Sequence, residues 1–99
     1  MSNNGTGAEV LLDARLMEPP EPFVAAMEIL RQLQAGQFLH MVHRRRPRLL
    51  YPELDLMGFT SHTLLCTGET YHIIVWRDED ESARDVAETC IASLQKDST

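Results

Sequence analysis

No apolar run in this sequence approaches the length of a membrane span, and the opening Met1-Ser2-Asn3-Asn4-Gly5-Thr6-Gly7 lacks the basic-then-apolar order of an export signal. The expectation is a cytoplasmic protein with no membrane contact. Cysteine is scarce, with only Cys66 and Cys90, which excludes the dense disulfide framework of a small secreted scaffold. Both read as reduced thiols. Positive charge is short as well: nine Lys and Arg against fifteen Asp and Glu give a formal net charge of -6, and such a surface repels a polyanion, so nucleic acid is not an expected partner. Aromatic residues make up 6% of the chain and are not interleaved with basic ones, so no stacking platform for bases is in view. There is no internal repeat and no low-complexity tract beyond the polar ends.

What is present suffices for one folded core. The 99 residues are 43% hydrophobic, the size and composition of a single domain. So short a chain buries a smaller share of its surface than a larger domain does, which leaves room for a partner or a second copy to add stability.

Residues 1–8 carry Gly, Asn, Ser and Thr without apolar periodicity and are expected to be a disordered tail, since burial cannot offset the entropy of ordering them. Glu9-Val10-Leu11-Leu12-Asp13 reads as a buried strand. The prolines at 19, 20 and 22 suit the lead-in and first turn of a helix. From Phe23, the residues Ala26, Met27, Leu30 and Leu33 recur at three- and four-residue spacing, with Gly36 as the expected stop. Residues 37–43 read as a second strand, ended by the Arg-rich segment and Pro47. A short helix over about 52–57 is expected to stop at Gly58. Residues 61–66 and 71–76, joined by Thr67-Gly68, form a hairpin pattern. The second of these strands is apolar on both faces, which suits a central position. Asp78-Glu79-Asp80-Glu81 then supplies negative charge at a helix start. Ala83, Val86, Ala87, Cys90, Ile91 and Leu94 line one face of that last helix. The order is β-α-β-α-β-β-α, an α/β arrangement (an α+β two-layer sandwich) with parallel first strands, an antiparallel final hairpin, and an extra C-terminal helix over residues 78–99.

Leu12-Asp13, Pro20-Glu21-Pro22, Gly36 and Gly58-Phe59, in that order of elements, resemble the TusA/SirA-like sulfur-carrier superfamily over about residues 9–77. Leu16-Met17-Glu18-Pro19-Pro20-Glu21-Pro22 and Leu50-Tyr51-Pro52 are more closely similar to a bacterial domain-of-unknown-function family sharing that fold. The resemblance implies a TusA-like mixed sheet. In the sulfur carriers a Cys-Pro-x-Pro motif opens the first helix, and its cysteine accepts persulfide sulfur. Here Pro20 and Pro22 match the two prolines while Pro19 stands at the cysteine position, so the implied carrier chemistry has no sulfur-bearing side chain there.

In such a sheet the carboxyl ends of parallel strands and the helix N-termini share an edge, where ligands bind. That rule brings Glu18 and Glu21, at the first helix start, near Arg44, Arg45, Arg46 and Arg48, which follow the second strand. Guanidinium groups beside helix N-termini suit a phosphate, a carboxylate or an acidic protein patch. The competing reading is a solvated loop whose arginines pair with nearby glutamates. No metal is expected: His40 and His43 sit three apart on a strand and point to opposite faces, and His62, Cys66 and His72 are sparse ligands whose register is open. Cys90, on an apolar helix face, should behave as a small hydrophobe with a raised pKa.

These residues lead to a non-enzymatic interaction module without cofactor, using Glu18, Glu21, Arg44, Arg45, Arg46 and Arg48 to meet a protein or a small anionic ligand. One alternative is a persulfide carrier using Cys66. Another is a homodimer formed through the free apolar face of the last helix.

Overall fold

In the computed structural model, which describes residues 7–97, the chain runs β1 (Glu9–Asp13), α1 (Glu21–Gln32), β2 (Phe38–His43), α2 (Leu50–Met57), β3 (Phe59–Cys66), β4 (Thr70–Arg77) and α3 (Glu81–Asp97). The four strands form one mixed sheet in the order β1-β2-β4-β3. Since α1 carries the chain back across the sheet, β1 and β2 are parallel, pairing Glu9 with Phe38 through Asp13 with Val42. The tight Thr67-Gly68-Glu69 connection makes β3 and β4 antiparallel, and β4 also pairs antiparallel with β2. Both Gly68 (φ +80) and Glu69 (φ +58) take the left-handed backbone this reversal needs.

The central position of β4 follows from its two apolar faces. Ile73 and Val75 pack with Leu39, Met41 and Leu12 beneath α1 and α2, which contribute Ala26, Met27, Leu30, Leu50 and Leu54. Ile74 and Trp76 face the other way, with Phe38, against Ala83, Ala87 and Ile91 of α3. The sheet with α1 and α2 makes the two-layer sandwich, and the C-terminal helix turns its apolar face onto the second side of the same sheet.

Three details depart from the sequence reading. The strand β1 is an edge strand: of its five residues only Leu12 is buried, because nothing pairs beyond it and one of its faces lies outside α3. The helix α1 ends at Leu33, whose backbone is extended, rather than running to Gly36. Gly36 (φ +82) instead supplies the left-handed residue of a separate turn closed by the Gln37 N–H donating to the Gln34 carbonyl at 3.0 Å. Of the expected tail, residues 1–6 lie outside the described residues, while Gly7 and Ala8 are anchored. Their carbonyls accept hydrogen bonds from Gln37 Nε2 (2.6 Å) and the Phe38 N–H (2.9 Å). The helix α2, by contrast, stops where its glycine predicts, at Gly58 (φ +82), after starting two residues before Pro52.

Candidate functional site

The parallel pair β1 and β2 ends at Asp13 and His43 on one edge of the sheet. From that edge the chain enters two connections, 14–20 leading to α1 and 44–49 leading to α2. A cavity of about 490 Å³ opens between them. Its apolar side is made by Phe23, Met41 and Leu50, continuous with the main core. The rim carries Arg44, Arg45, Arg46 and Arg48, with Glu18 across from them. Of the sequence-derived site residues, these five line one cavity, and Glu21 does not. Pro19 and Pro20, joined by a cis peptide bond, form part of the wall.

The 44–48 loop is shaped by His43. The Arg44 N–H donates to His43 Nδ1 at 2.8 Å and the Arg45 N–H at 3.3 Å, so that ring nitrogen serves as an acceptor capping the turn. Burial, then the positive charges of Arg45 and Arg44, push the His43 pKa below its ordinary value, which keeps the ring neutral and the acceptor available. Further support comes from the Arg46 guanidinium lying 5.5 Å from the centroid of the Tyr71 ring. The last turn into α2 is closed by the Leu50 N–H donating to the Pro47 carbonyl at 3.0 Å.

Among the described residues, no carboxylate forms an ion pair with Arg44, Arg45, Arg46 or Arg48. The loop-and-glutamate pairing considered from sequence is therefore not the arrangement adopted. Arg15, also in the lining, is different: it is held by Asp13 through two hydrogen bonds of 2.9 and 2.7 Å. That contact draws the Asp13 pKa down to about 2 and leaves Arg15 less charge to offer an anion.

The helix ends contribute less than the rule for such edges suggests. Pro22 has no N–H, and the Glu21 N–H already donates to the Glu18 carbonyl at 2.8 Å. An anion in this cavity would be held chiefly by guanidinium groups.

The thiols lie elsewhere. Cys66 ends β3 before the hairpin turn and is absent from the cavity lining. Cys90 sits on α3 beside the second core, where burial and then the nearby Glu9 push its thiol up to about 11. The register puts Leu64 opposite His72 and His62 opposite Ile74, so His62, Cys66 and His72 do share a face. A different grouping is the closer one. His40 on β2 reaches His72 diagonally across the β2–β4 pair, His40 Nε2 lying 2.7 Å from His72 Nδ1, and His40 Nδ1 lies 2.5 Å from Glu9 Oε2. The Cys90 sulfur is 3.9 Å from the same Nδ1. The only sequence signal for this cluster was the matching parity of Glu9, His40 and His72 within their strands, which acquires meaning once the strand order is known.

Fold and cavity define a small mixed α/β domain with an apolar-walled, arginine-rimmed cleft at the end of its parallel strands. The chain belongs to the family described as an uncharacterized conserved protein (DUF2249), whose match spans residues 11–77. No curated protein and no solved structure matches it. The matched segment contains the whole cleft and stops before α3. No helix among the described residues is long and apolar enough to cross a membrane.

Proposed function

We propose that this protein is a cytoplasmic, non-enzymatic binding module that takes an anionic group, a carboxylate or phosphate on a small molecule or on a protein surface, in the cleft between 14–20 and 44–49. The observation that carries this reading is the gathering of Arg44, Arg45, Arg46 and Arg48, without carboxylate partners, around a cavity with an apolar wall, in a chain of net charge -6. Isolated surface arginines are common, but four at the rim of one cleft concentrate positive potential against the overall charge. The apolar side formed by Phe23, Met41 and Leu50 favours a ligand with a hydrocarbon part beside its anionic end. The lining offers no hydroxyl, thiol or amine nucleophile, which supports binding rather than covalent catalysis.

The sulfur-carrier reading has less behind it. Pro19 stands where the carriers that the sequence resembles have cysteine, and Cys66 lies outside the cleft. An intact mass unchanged after incubation with a cysteine desulfurase and cysteine would remove it. The homodimer reading has less behind it as well, because α3 turns Ala83, Ala87 and Ile91 onto its own sheet.

The test is an NMR titration with inorganic phosphate and, separately, with octanoate, on the parent and on R45A/R46A. The parent should show shifts at the amides of 44–46 and 48 and around Phe23, with octanoate the tighter ligand. Charge-assisted hydrogen bonds are worth about 1.5–3 kcal/mol each, so the double variant should bind at least about tenfold more weakly with its melting temperature retained. Equal binding by parent and variant would place the site elsewhere.

A further inference from the structure

On the α3 side of the sheet, Glu9, His40 and Cys90 come from three separate elements, β1, β2 and α3, and their ligand atoms all lie within 4.8 Å of one another. His40 is buried, whereas the Glu9 side chain is 43% exposed. The cluster is thus a half-open recess, walled by the sheet and α3 and reached from solvent past a carboxylate. Its chemistry is that of a nitrogen, oxygen and sulfur donor set, which suits a borderline ion such as zinc better than magnesium or calcium.

We propose that Glu9, His40 and Cys90 form a binding site for a divalent transition-metal ion of the zinc type, with His72 orienting the histidine ligand. Tetrahedral coordination at about 2.0–2.3 Å sets ligand atoms roughly 3.3–3.7 Å apart. The 3.9 Å between Cys90 Sγ and His40 Nδ1 is close to this. The 2.5 Å between His40 Nδ1 and Glu9 Oε2 is a hydrogen bond that must open by about an ångström to admit an ion, and the exposed Glu9 side chain has the freedom to retreat. Three protein ligands leave a fourth position for water on the solvent side.

The partner of the other ring nitrogen strengthens the assignment. Metal-bound histidines usually donate their second N–H to a fixed acceptor, and His40 Nε2 lies 2.7 Å from His72 Nδ1. In the metal-free protein the Glu9 carboxylate can only accept, so His40 Nδ1 carries a proton toward it. When the ion takes Nδ1, the proton there is displaced, and His40 donates at Nε2 to His72 Nδ1. Cys90 gives up its proton to solvent and becomes a thiolate. One carboxylate and one thiolate balance the charge of a divalent ion, so the occupied site is neutral and its half-buried position carries little desolvation cost.

The site lies across the sheet from the arginine cleft, so its fate and that of the cleft are tested separately. Cobalt(II) is the probe, because a cobalt–thiolate bond gives a near-ultraviolet charge-transfer band and tetrahedral cobalt gives intense visible bands. The parent and C66S should develop both at one equivalent, zinc should displace the cobalt, and C90S, with circular dichroism unchanged, should lose the charge-transfer band. An absent band in the parent, or a band retained in C90S, overturns the proposal. If C90S does not fold, E9A decides: a cobalt affinity at least about tenfold weaker with native circular dichroism supports the site, and an unchanged affinity overturns it.

Discussion

Beneath α1 and α2 the sheet presents Leu39, Met41, Ile73 and Val75, all without solvent exposure, and the helices answer with large aliphatic side chains such as Leu30, Leu50 and Leu54. Beneath α3 it presents Phe38, Ile74 and Trp76, and the helix answers with Ala83 and Ala87. Further along those same strands this second face turns polar, at His40 and His72. One face closes by interdigitation of branched side chains. The other sets the small Ala83 and Ala87 against the large aromatic and branched residues of the strands, with Ile91 further along the helix, and it ends in a hydrogen-bonded cluster. Opposite faces of one sheet therefore use different means of exclusion, and only the larger face extends into the arginine-rimmed cleft.

The contrast can be broken at several points. The largest effect is expected from Leu30→Ala on α1, which removes a fully buried side chain from the larger core. A cost of about 2–5 kcal/mol is typical of such cavities, and urea unfolding should show it as a lower midpoint. A cost well under that range would mean the larger face can collapse around the loss. Next comes Ala87→Leu, which overfills the close contact between α3 and the sheet and should cost about 1–3 kcal/mol while leaving the amide shifts of 44–46 and 48 in place. Broad changes in that loop would show that the two faces are not independent.

The smallest effect is electrostatic. Asp80, just before α3, accepts from the Gly36 N–H at 2.8 Å through Oδ2 and from the Ala83 N–H at 3.0 Å through Oδ1. Those two bonds hold its pKa below the ordinary 3.8. Its contribution is fully present above that ordinary value and is lost as the pH falls through the lowered one. Asp80→Asn should therefore flatten the acid side of the stability profile and change the neutral side less. A profile unchanged below pH 4 would assign the acid sensitivity to other carboxylates.

Most of this arrangement is legible in the sequence where local rules act. The 3.6-residue spacing from Phe23 to Leu33, the glycine at 58, the Thr67-Gly68 turn and the two-sided apolar run of 71–76 each act within a few residues. The edge rule brought Glu18 and the four arginines together from two connections because the parallel order of β1 and β2 follows from the length between them. What the sequence did not disclose depends on long-range register. Glu9, His40, His72 and Cys90 are 31 or more positions apart wherever they pair across elements. Their meeting requires that β4, rather than β3, lie beside β2. The exposure of β1 was missed for the same reason, since an edge strand and a buried strand share one apolar pattern when the strand order is unknown.

The bond from Gly36 to Asp80 has a consequence for motion as well as for stability. The amide of Gly36 belongs to the turn between α1 and β2, yet its acceptor belongs to the chain just ahead of α3. Solvent hydrogen replaces that amide proton when the carboxylate lets go, so its exchange rate reports how often the turn after α1 and the chain ahead of α3 part at this bond. A single backbone proton thus reports on the one bond that ties the two connections together across the end of the sheet.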